Sequence, residues 1–193
     1  MNYVIVATTG KKRHGKTVFC DGLEEEIDKF CQGAITVYRI NFKDELIDEA
    51  EALGWNGVKD KRGRQLLQRL GTDVVRECID ENYWVRKWFE RFDLQINENR
   101  AIGKIILVDD VRFDNEAHMI KALGGKVIEI VTPERPSSDT HSSEDGINHY
   151  LIDCSFELKL GLKHIQTAAA MYFKQQFIDT LTIQEMTSRE PLA

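Results

Sequence analysis

Eight residues near the start of the chain, "GKKRHGKT" from Gly10 to Thr17, restrict its fold more than any other stretch. They follow the apolar run Val4-Ile5-Val6-Ala7. They precede Val18, Phe19, Leu23, Ile27 and Phe30, which fall near helical spacing. The pattern G-x-x-x-x-G-K-[ST] in that setting is a turn from a buried strand into a helix, with main-chain N–H groups wrapped around a phosphate. Gly10 and Gly15 permit the tight path. Lys16 sets a point charge near the β and γ phosphates of a triphosphate, and the Thr17 hydroxyl suits a magnesium ion. The helix N-terminus adds partial positive charge. The formal net charge is -6, so the basic residues gathered here are a local feature. Taken singly, Lys11, Lys12, Arg13 and His14 in the variable positions read as solvated.

A strand leading into a helix is the first of several such units. Strands are expected at Tyr3–Ala7, Ala34–Ile40, Lys104–Asp109, Lys126–Val131 and Tyr150–Cys154. Helices are expected at Lys16–Phe30, Lys43–Leu53, Arg62–Ile79, Asn82–Gln95, Phe113–Leu123 and Leu160–Phe177. Gly71 inside the third helix costs about 1 kcal/mol relative to Ala, which points to a close backbone approach there. Alternation of this kind predicts an α/β fold of the P-loop NTPase type. It would have three α/β/α layers, a five-stranded, mainly parallel sheet and a small lid, with ligands at the carboxyl ends of the strands. One domain is expected over residues 1–193, with a helical region at about 42–100 and a peripheral tail at about 179–193. The lid is expected at about 133–147, where prolines and serines replace apolar periodicity.

Composition narrows the classes. No apolar run approaches the roughly 20 residues that span a bilayer, and polar residues from Thr8 onward interrupt any signal peptide. The cysteines Cys20, Cys31, Cys78 and Cys154 form no CxxC pair, which fits a reduced cytoplasmic interior without disulfides or zinc. The acidic balance argues against stable nucleic-acid binding.

Two further charged stretches stand out. Between Lys59 and Arg76, basic residues outnumber acidic ones, and helical spacing puts Arg69, Asp73 and Arg76 on one face. Spacing alone favours a solvated face with intrahelical ion pairs; the alternative is a site for a second phosphate. In "LVDDVRFDNEA", Asp109 and Asp110 end an apolar strand at the ligand edge, with Arg112 and Glu116 just beyond. Simple helix capping is the plain reading of the pair. Beside a phosphate loop, a role for at least one carboxylate toward magnesium or substrate is preferred. Tyr83, Trp84, Trp88 and Phe89 at helical spacing read as core rather than as a base-stacking set. His141 and Glu144 read as a solvated loop.

Several stretches in order, "GKKRHGKT", "NFKDEL", "GRQLLQRLGTDVVR", "NYWV", "VDDVRFDNEA", "LGGKVIEIV" and "DTHSSEDG", resemble the deoxynucleoside monophosphate kinases of tailed bacteriophages. These belong to the P-loop nucleoside monophosphate kinase superfamily. The resemblance runs over roughly residues 1 to 176. It implies transfer of the ATP γ-phosphoryl to a deoxynucleoside 5′-monophosphate, with ATP and Mg2+ as cofactors. The implied ATP set is Gly10, Lys12, His14, Gly15, Lys16, Thr17 and Val18, with Thr17 on Mg2+ through ATP. The implied acceptor set is Phe42, Lys43, Arg64, Gly71, Thr72, Asp73, Trp84, Asp110, Arg112 and Glu116. Lys16, Asp110, Arg112 and Arg135 are the implied catalytic residues. Asp110 rather than Asp109 matches the family's aspartate, and Trp84 moves from core toward ligand contact. Relatives often carry Asp after the loop lysine and Arg-Pro before the lid; here Thr17 and Thr132-Pro133 stand there, with Arg135 two residues past the proline. Arg76 matches an arginine in only some relatives. The resemblance also suggests a homodimer, and the host cytoplasm if the chain is phage-encoded. Two rivals share the frame. One is another small-molecule kinase resembling dephospho-coenzyme A kinase; the other is a non-catalytic assembly protein switched by ATP.

Overall fold

A central parallel sheet sets where everything else lies. The structure is a computed structural model and describes residues 3–98, 103–135, 145–159 and 161–178. Among these, strands β1 (Tyr3–Thr9), β2 (Ile35–Arg39), β3 (Gly103–Val108), β4 (Lys126–Val131) and β5 (Cys154–Glu157) lie in the order β2-β3-β1-β4-β5. Every neighbouring pair is parallel, with Ile5 level with Ile106, Ala7 with Val127, Val37 with Ile105 and Ile130 with Phe156.

The helices are α1 (Lys16–Cys31), α2 (Phe42–Ala52), α3 (Lys61–Gln68), α4 (Tyr83–Glu98), α5 (Asp114–Ala122) and α6 (Leu162–Phe173). Successive strand residues point to opposite faces of the sheet. Ile5, Ala7, Ile106, Val108 and Val127 therefore pack on Trp88 and Phe92 of α4 and on Ala117 and Ile120 of α5. Val6, Ile105, Leu107, Ile128 and Ile130 pack on Phe19, Leu23 and Ile27 of α1 and on Ala169 and Tyr172 of α6. Both faces are covered, which gives the expected three-layer α/β fold with an all-parallel sheet. Strand order reverses at β1, flanked by β3 and β4, so the loop leaving β1 opens onto the crevice where such sheets bind ligands.

Two elements differ from the sequence expectation. The long helix predicted over Arg62–Ile79 is α-helical only through Gln68; Arg69–Ile79 winds as a π-helix. The indole Nε1 of Trp84 donates to the Gly71 carbonyl at 2.8 Å, and a Cβ at Gly71 would meet Leu46 Cδ2 of α2 at 2.8 Å. A carbonyl claimed by a side chain and a close helix contact both favour a local change of winding. The last strand begins at Cys154, not Tyr150. Residues His149–Leu151 form a 3-10 turn that leaves Tyr150 exposed. Asp153 then docks on β4: its N donates to the Val127 carbonyl at 2.8 Å and its carboxylate accepts from Val127 N at 2.8 Å.

Of the expected lid, only 133–135 and 145–147 are among the described residues; His141, Glu144 and the tail at 179–193 lie outside them. No helix among the described residues is long and apolar enough to cross a membrane.

Candidate active site

The Gly10–Thr17 loop joins β1 to α1, and its backbone has the unusual geometry the motif requires. Gly10 has φ +127° and Gly15 φ +96°. A Cβ on Gly10 would lie 2.3 Å from the Ile130 carbonyl oxygen of β4, so the loop is seated directly on the neighbouring strand. Gly10→Ala therefore brings a backbone clash as well as about 1–2 kcal/mol of left-handed strain. We expect it to weaken ATP binding by at least about tenfold in titration calorimetry, because the displaced loop misaligns its N–H groups. Wild-type affinity in a folded Gly10→Ala variant would show that the loop does not hold the nucleotide.

Lys16 is buried, and its Nζ donates to the carbonyls of Gly10 at 2.6 Å and Lys11 at 2.9 Å. The ammonium thus spans the mouth of the loop. Lys16, Thr17 and Val18 form the first turn of α1, where N–H groups have no intrahelical acceptor. The Val18 side chain packs on the core, so only its backbone faces the loop. The His14 ring is also buried. Its Nδ1 faces the Ile130 carbonyl at 3.3 Å and its Nε2 the Arg135 carbonyl at 3.1 Å. His14 accordingly ties the loop to β4 and the segment after it.

A cleft of about 460 Å³ opens beside this loop. It is lined by Lys12, Arg13, Lys16 and Thr17 of the loop region and by Phe42, Lys43, Arg64, Gly71, Thr72, Arg76, Trp84, Asp109, Asp110, Arg112 and Glu116. Residues far apart in sequence thus gather cations around one cleft.

The aspartates divide differently from expectation. Asp110 is buried and accepts from the backbone N–H groups of Phe42 at 3.1 Å and Lys43 at 2.8 Å, anchoring the start of α2. Burial pushes it up to about 6, against the pull of Lys43. Asp109 is the carboxylate beside the loop: it pairs with Lys43 Nζ and lines the same cleft as Thr17. Burial acts to raise it, but Lys43 and Thr17 outweigh that and hold it below its ordinary value. Asp110, expected to be catalytic, therefore occupies an anchoring position, and Asp109, left out of the expected set, faces the phosphate loop. Adjacent residues leaving a strand point opposite ways, and the sequence carried only the pair.

Glu116 is similarly committed. Oε2 accepts from Arg112 N at 2.7 Å and Phe113 N at 3.2 Å, closing the first turn of α5, while Oε1 pairs with Arg76. Burial pushes its carboxyl up to about 7 despite that cation. Arg76 donates from Nη1 to the Glu81 carbonyl at 3.0 Å, and its guanidinium lies 4.1 Å from the centre of the Phe113 ring.

Asp73, Trp84 and Arg135 differ in their placement. Asp73 is exposed and does not line the cleft, because π winding turns Gly71, Thr72, Val75 and Arg76 inward instead. Arg69, Asp73 and Arg76 therefore do not share a face. Trp84 is buried, with its indole N–H bonded to Gly71, so it meets the cleft as part of the packed wall. Arg135 does not line this cleft. Its Nη1 donates to the Arg13 carbonyl at 3.0 Å, and it lines a second cleft of about 380 Å³ with Gly10, Lys11 and His14. Arg64 stands exposed on the rim of the main cleft, and Phe42 stacks on Trp88 with ring centres 5.0 Å apart.

Among the described residues no three His, Cys, Asp or Glu side chains come together to hold a metal. Thr17 and Asp109 line the same cleft and offer two oxygen ligands. That fits Mg2+, which keeps several waters and takes further oxygens from substrate phosphates.

The family profile described as deoxynucleotide monophosphate kinase matches residues 39–155, which span the expected acceptor set and both aspartates but not the Gly10–Thr17 loop. A putative deoxynucleotide monophosphate kinase of Acanthamoeba polyphaga mimivirus is 37% identical over 91 residues, 42% of this chain and 45% of that protein. The deoxynucleotide monophosphate kinase of Enterobacteria phage T4 is 33% identical over 93 residues, 48% of this chain and 37% of that protein. That of Escherichia phage RB69 is 34% identical over 87 residues, 44% of this chain and 33% of that protein. The chain spans less than half the length of these curated relatives. With the family profile covering more than half of the chain, the chain belongs to the deoxynucleotide monophosphate kinase family.

Proposed function

We propose that this chain transfers the γ-phosphoryl group of ATP to deoxynucleoside 5′-monophosphates, giving ADP and the deoxynucleoside diphosphates. One observation carries the reading: a single cleft is lined both by Lys12, Arg13, Lys16 and Thr17 of the phosphate loop and by Lys43, Arg64, Arg76 and Arg112. Two anions brought head to head need this arrangement, because alignment and neutralisation supply most of the catalysis in phosphoryl transfer.

In this reading, Lys16 and the first-turn N–H groups of α1 hold the β and γ phosphates. Lys43, Arg64 and Arg112 hold the phosphate of the acceptor, whose oxygen attacks the γ phosphorus as the bond to ADP breaks. Phe42 and Trp84 offer the base an apolar wall. Asp110 and Glu116 act as positioning residues, fixing the N-termini of α2 and α5. Thr17 and Asp109 would hold Mg2+, which supplies neutralising charge at the phosphates when bound. The second cleft adjoins the loop at Gly10 and Lys11 and offers room for the rest of the donor. A cytoplasmic setting, that of the host for a phage protein, goes with this reading and fits the four free cysteines. A homodimer is part of the same proposal and is checked by light scattering.

The direct experiment is product analysis with ATP–Mg2+ and each of dAMP, dGMP, dCMP and dTMP, alongside the ribonucleotides. Formation of a diphosphate from at least one deoxynucleotide supports the proposal; ATP hydrolysis with no phosphorylated product overturns it. Arg112→Ala is expected to raise the acceptor KM by about 10- to 100-fold, the worth of one charge-assisted contact, with little change in ATP affinity. A collapse of ATP affinity instead would move Arg112 to the donor side.

A further inference from the structure

We infer that Lys43 and Asp109 form an exchangeable pair that makes acceptor binding depend on occupancy of the phosphate loop. The inference rests on the kinase reading above. The Asp109 carboxylate pairs with Lys43 Nζ and lines the same cleft as Thr17 of the phosphate loop. The main chain is held at both ends of this link. Asp109 N donates to Asn41 Oδ1 at 2.8 Å, and Lys43 N donates to Asp110 Oδ2 at 2.8 Å.

What remains free to move is the Lys43 side chain. It is 39% exposed along the cleft, while the Asp109 side chain is 5% exposed. A lysine is a compact charge on a four-carbon stem with rotatable donors, and it changes partner without backbone movement. The contrast with Arg76 is physical. That guanidinium is itself buried and fixed by Glu116 and the Glu81 carbonyl, and neither partner belongs to the phosphate loop.

As the pair stands, the Lys43 charge is turned toward Asp109, and an acceptor phosphate must compete with that carboxylate for it. The magnesium ion that enters with ATP, which Thr17 and Asp109 would hold, would compete with Lys43 for the same carboxylate. The ammonium is thereby released to the acceptor phosphate when the donor loop is filled. Linkage makes the effect reciprocal, so a bound acceptor also tightens the donor. Phosphate would then be held in line chiefly when both substrates are present, which disfavours transfer to water.

The test is titration calorimetry on the full chain. Each of dAMP, dGMP, dCMP and dTMP is titrated with and without saturating magnesium–AMPPNP, a non-hydrolysable ATP analogue, whose own affinity is measured first for each variant. For wild type, the analogue is expected to tighten binding of any deoxynucleotide that serves as substrate by about tenfold. In Asp109→Asn the neutral amide no longer claims the ammonium. Deoxynucleotide alone should then bind at least as tightly as to wild type, and the analogue's effect should shrink to within about twofold. Lys43→Met should bind the deoxynucleotide weakly in both conditions and lose the coupling as well. Equal wild-type affinity with and without the analogue, or a full wild-type effect in either folded variant, overturns the inference. Should Asp109→Asn fail to fold, wild type and Lys43→Met decide it. Diphosphate formation without coupling sinks the exchange alone; a wild type that neither binds nor phosphorylates any of the four sinks the kinase reading with it.

Discussion

Lys16→Ala is expected to lower kcat by at least about 10²–10³-fold, the typical loss when one preorganised donor to developing charge is removed. The side chain is the buried cation at the centre of the loop, donating to the Gly10 and Lys11 carbonyls. Two losses are combined in the variant, and they separate by measurement. Removing the strap across the loop costs about 1–3 kcal/mol, or several degrees in Tm for a chain of this size. Removing the charge takes from the loop its buried ammonium, which in the proposed reaction faces the transferred phosphoryl group. The far-UV circular dichroism spectrum should therefore match wild type while kcat collapses, with a smaller effect on the acceptor KM. A well-folded Lys16→Ala protein with near-normal kcat would take the loop out of the mechanism.

The second large effect is expected at Arg76→Met, and it is a stability effect with a pH signature. Arg76 and Glu116 side chains are only 7% and 4% exposed, and removing one partner of such a pair typically costs about 3–5 kcal/mol. The surviving Glu116 sets the pH dependence. Its carboxyl lies at about 7 in the folded wild type, above the ordinary value of 4.5, because burial penalises the charged form. A carboxyl raised in the folded state contributes stability that is fully present below its unfolded value and is lost as pH rises through the folded one. Without Arg76, the folded carboxyl rises further, because the cation that favoured ionisation is gone. Urea unfolding should thus show the variant far less stable than wild type at about pH 8 and much closer to it at about pH 5. An equal deficit at both values would mean that packing over Phe113, not charge, is what Arg76 supplies.

The legible part of this protein is that written in contiguous residues. The β1–loop–α1 unit could be read from eight letters, because its function lies in its own backbone: two glycines with positive φ and a helix start at Lys16. Apolar patterning likewise gave four of the five strands and most of the buried face of α1, since burial on both faces of a parallel sheet leaves a local signature; over Arg62–Ile79 it failed, and Leu66 and Val74 are exposed. β5 escaped because its neighbours Tyr150-Leu151-Ile152 are more apolar than the strand itself, and Asp153 decides where the chain enters the sheet. Asp73 was misplaced because helical spacing assumes one winding, and the Trp84–Gly71 contact imposes another.

The cleft illustrates the boundary. Sequence by itself determined that a phosphate loop follows the first strand of a mainly parallel sheet, and that cations and carboxylates exist in sufficient number to face it. Tertiary structure alone decided which of them do. Lys43 meets Asp109 across 66 residues of chain, and Arg76 meets Glu116 across 40. Electrostatic and hydrogen-bond energies depend on distance and burial in space, so those partnerships exist only once the sheet has brought distant segments to the same edge.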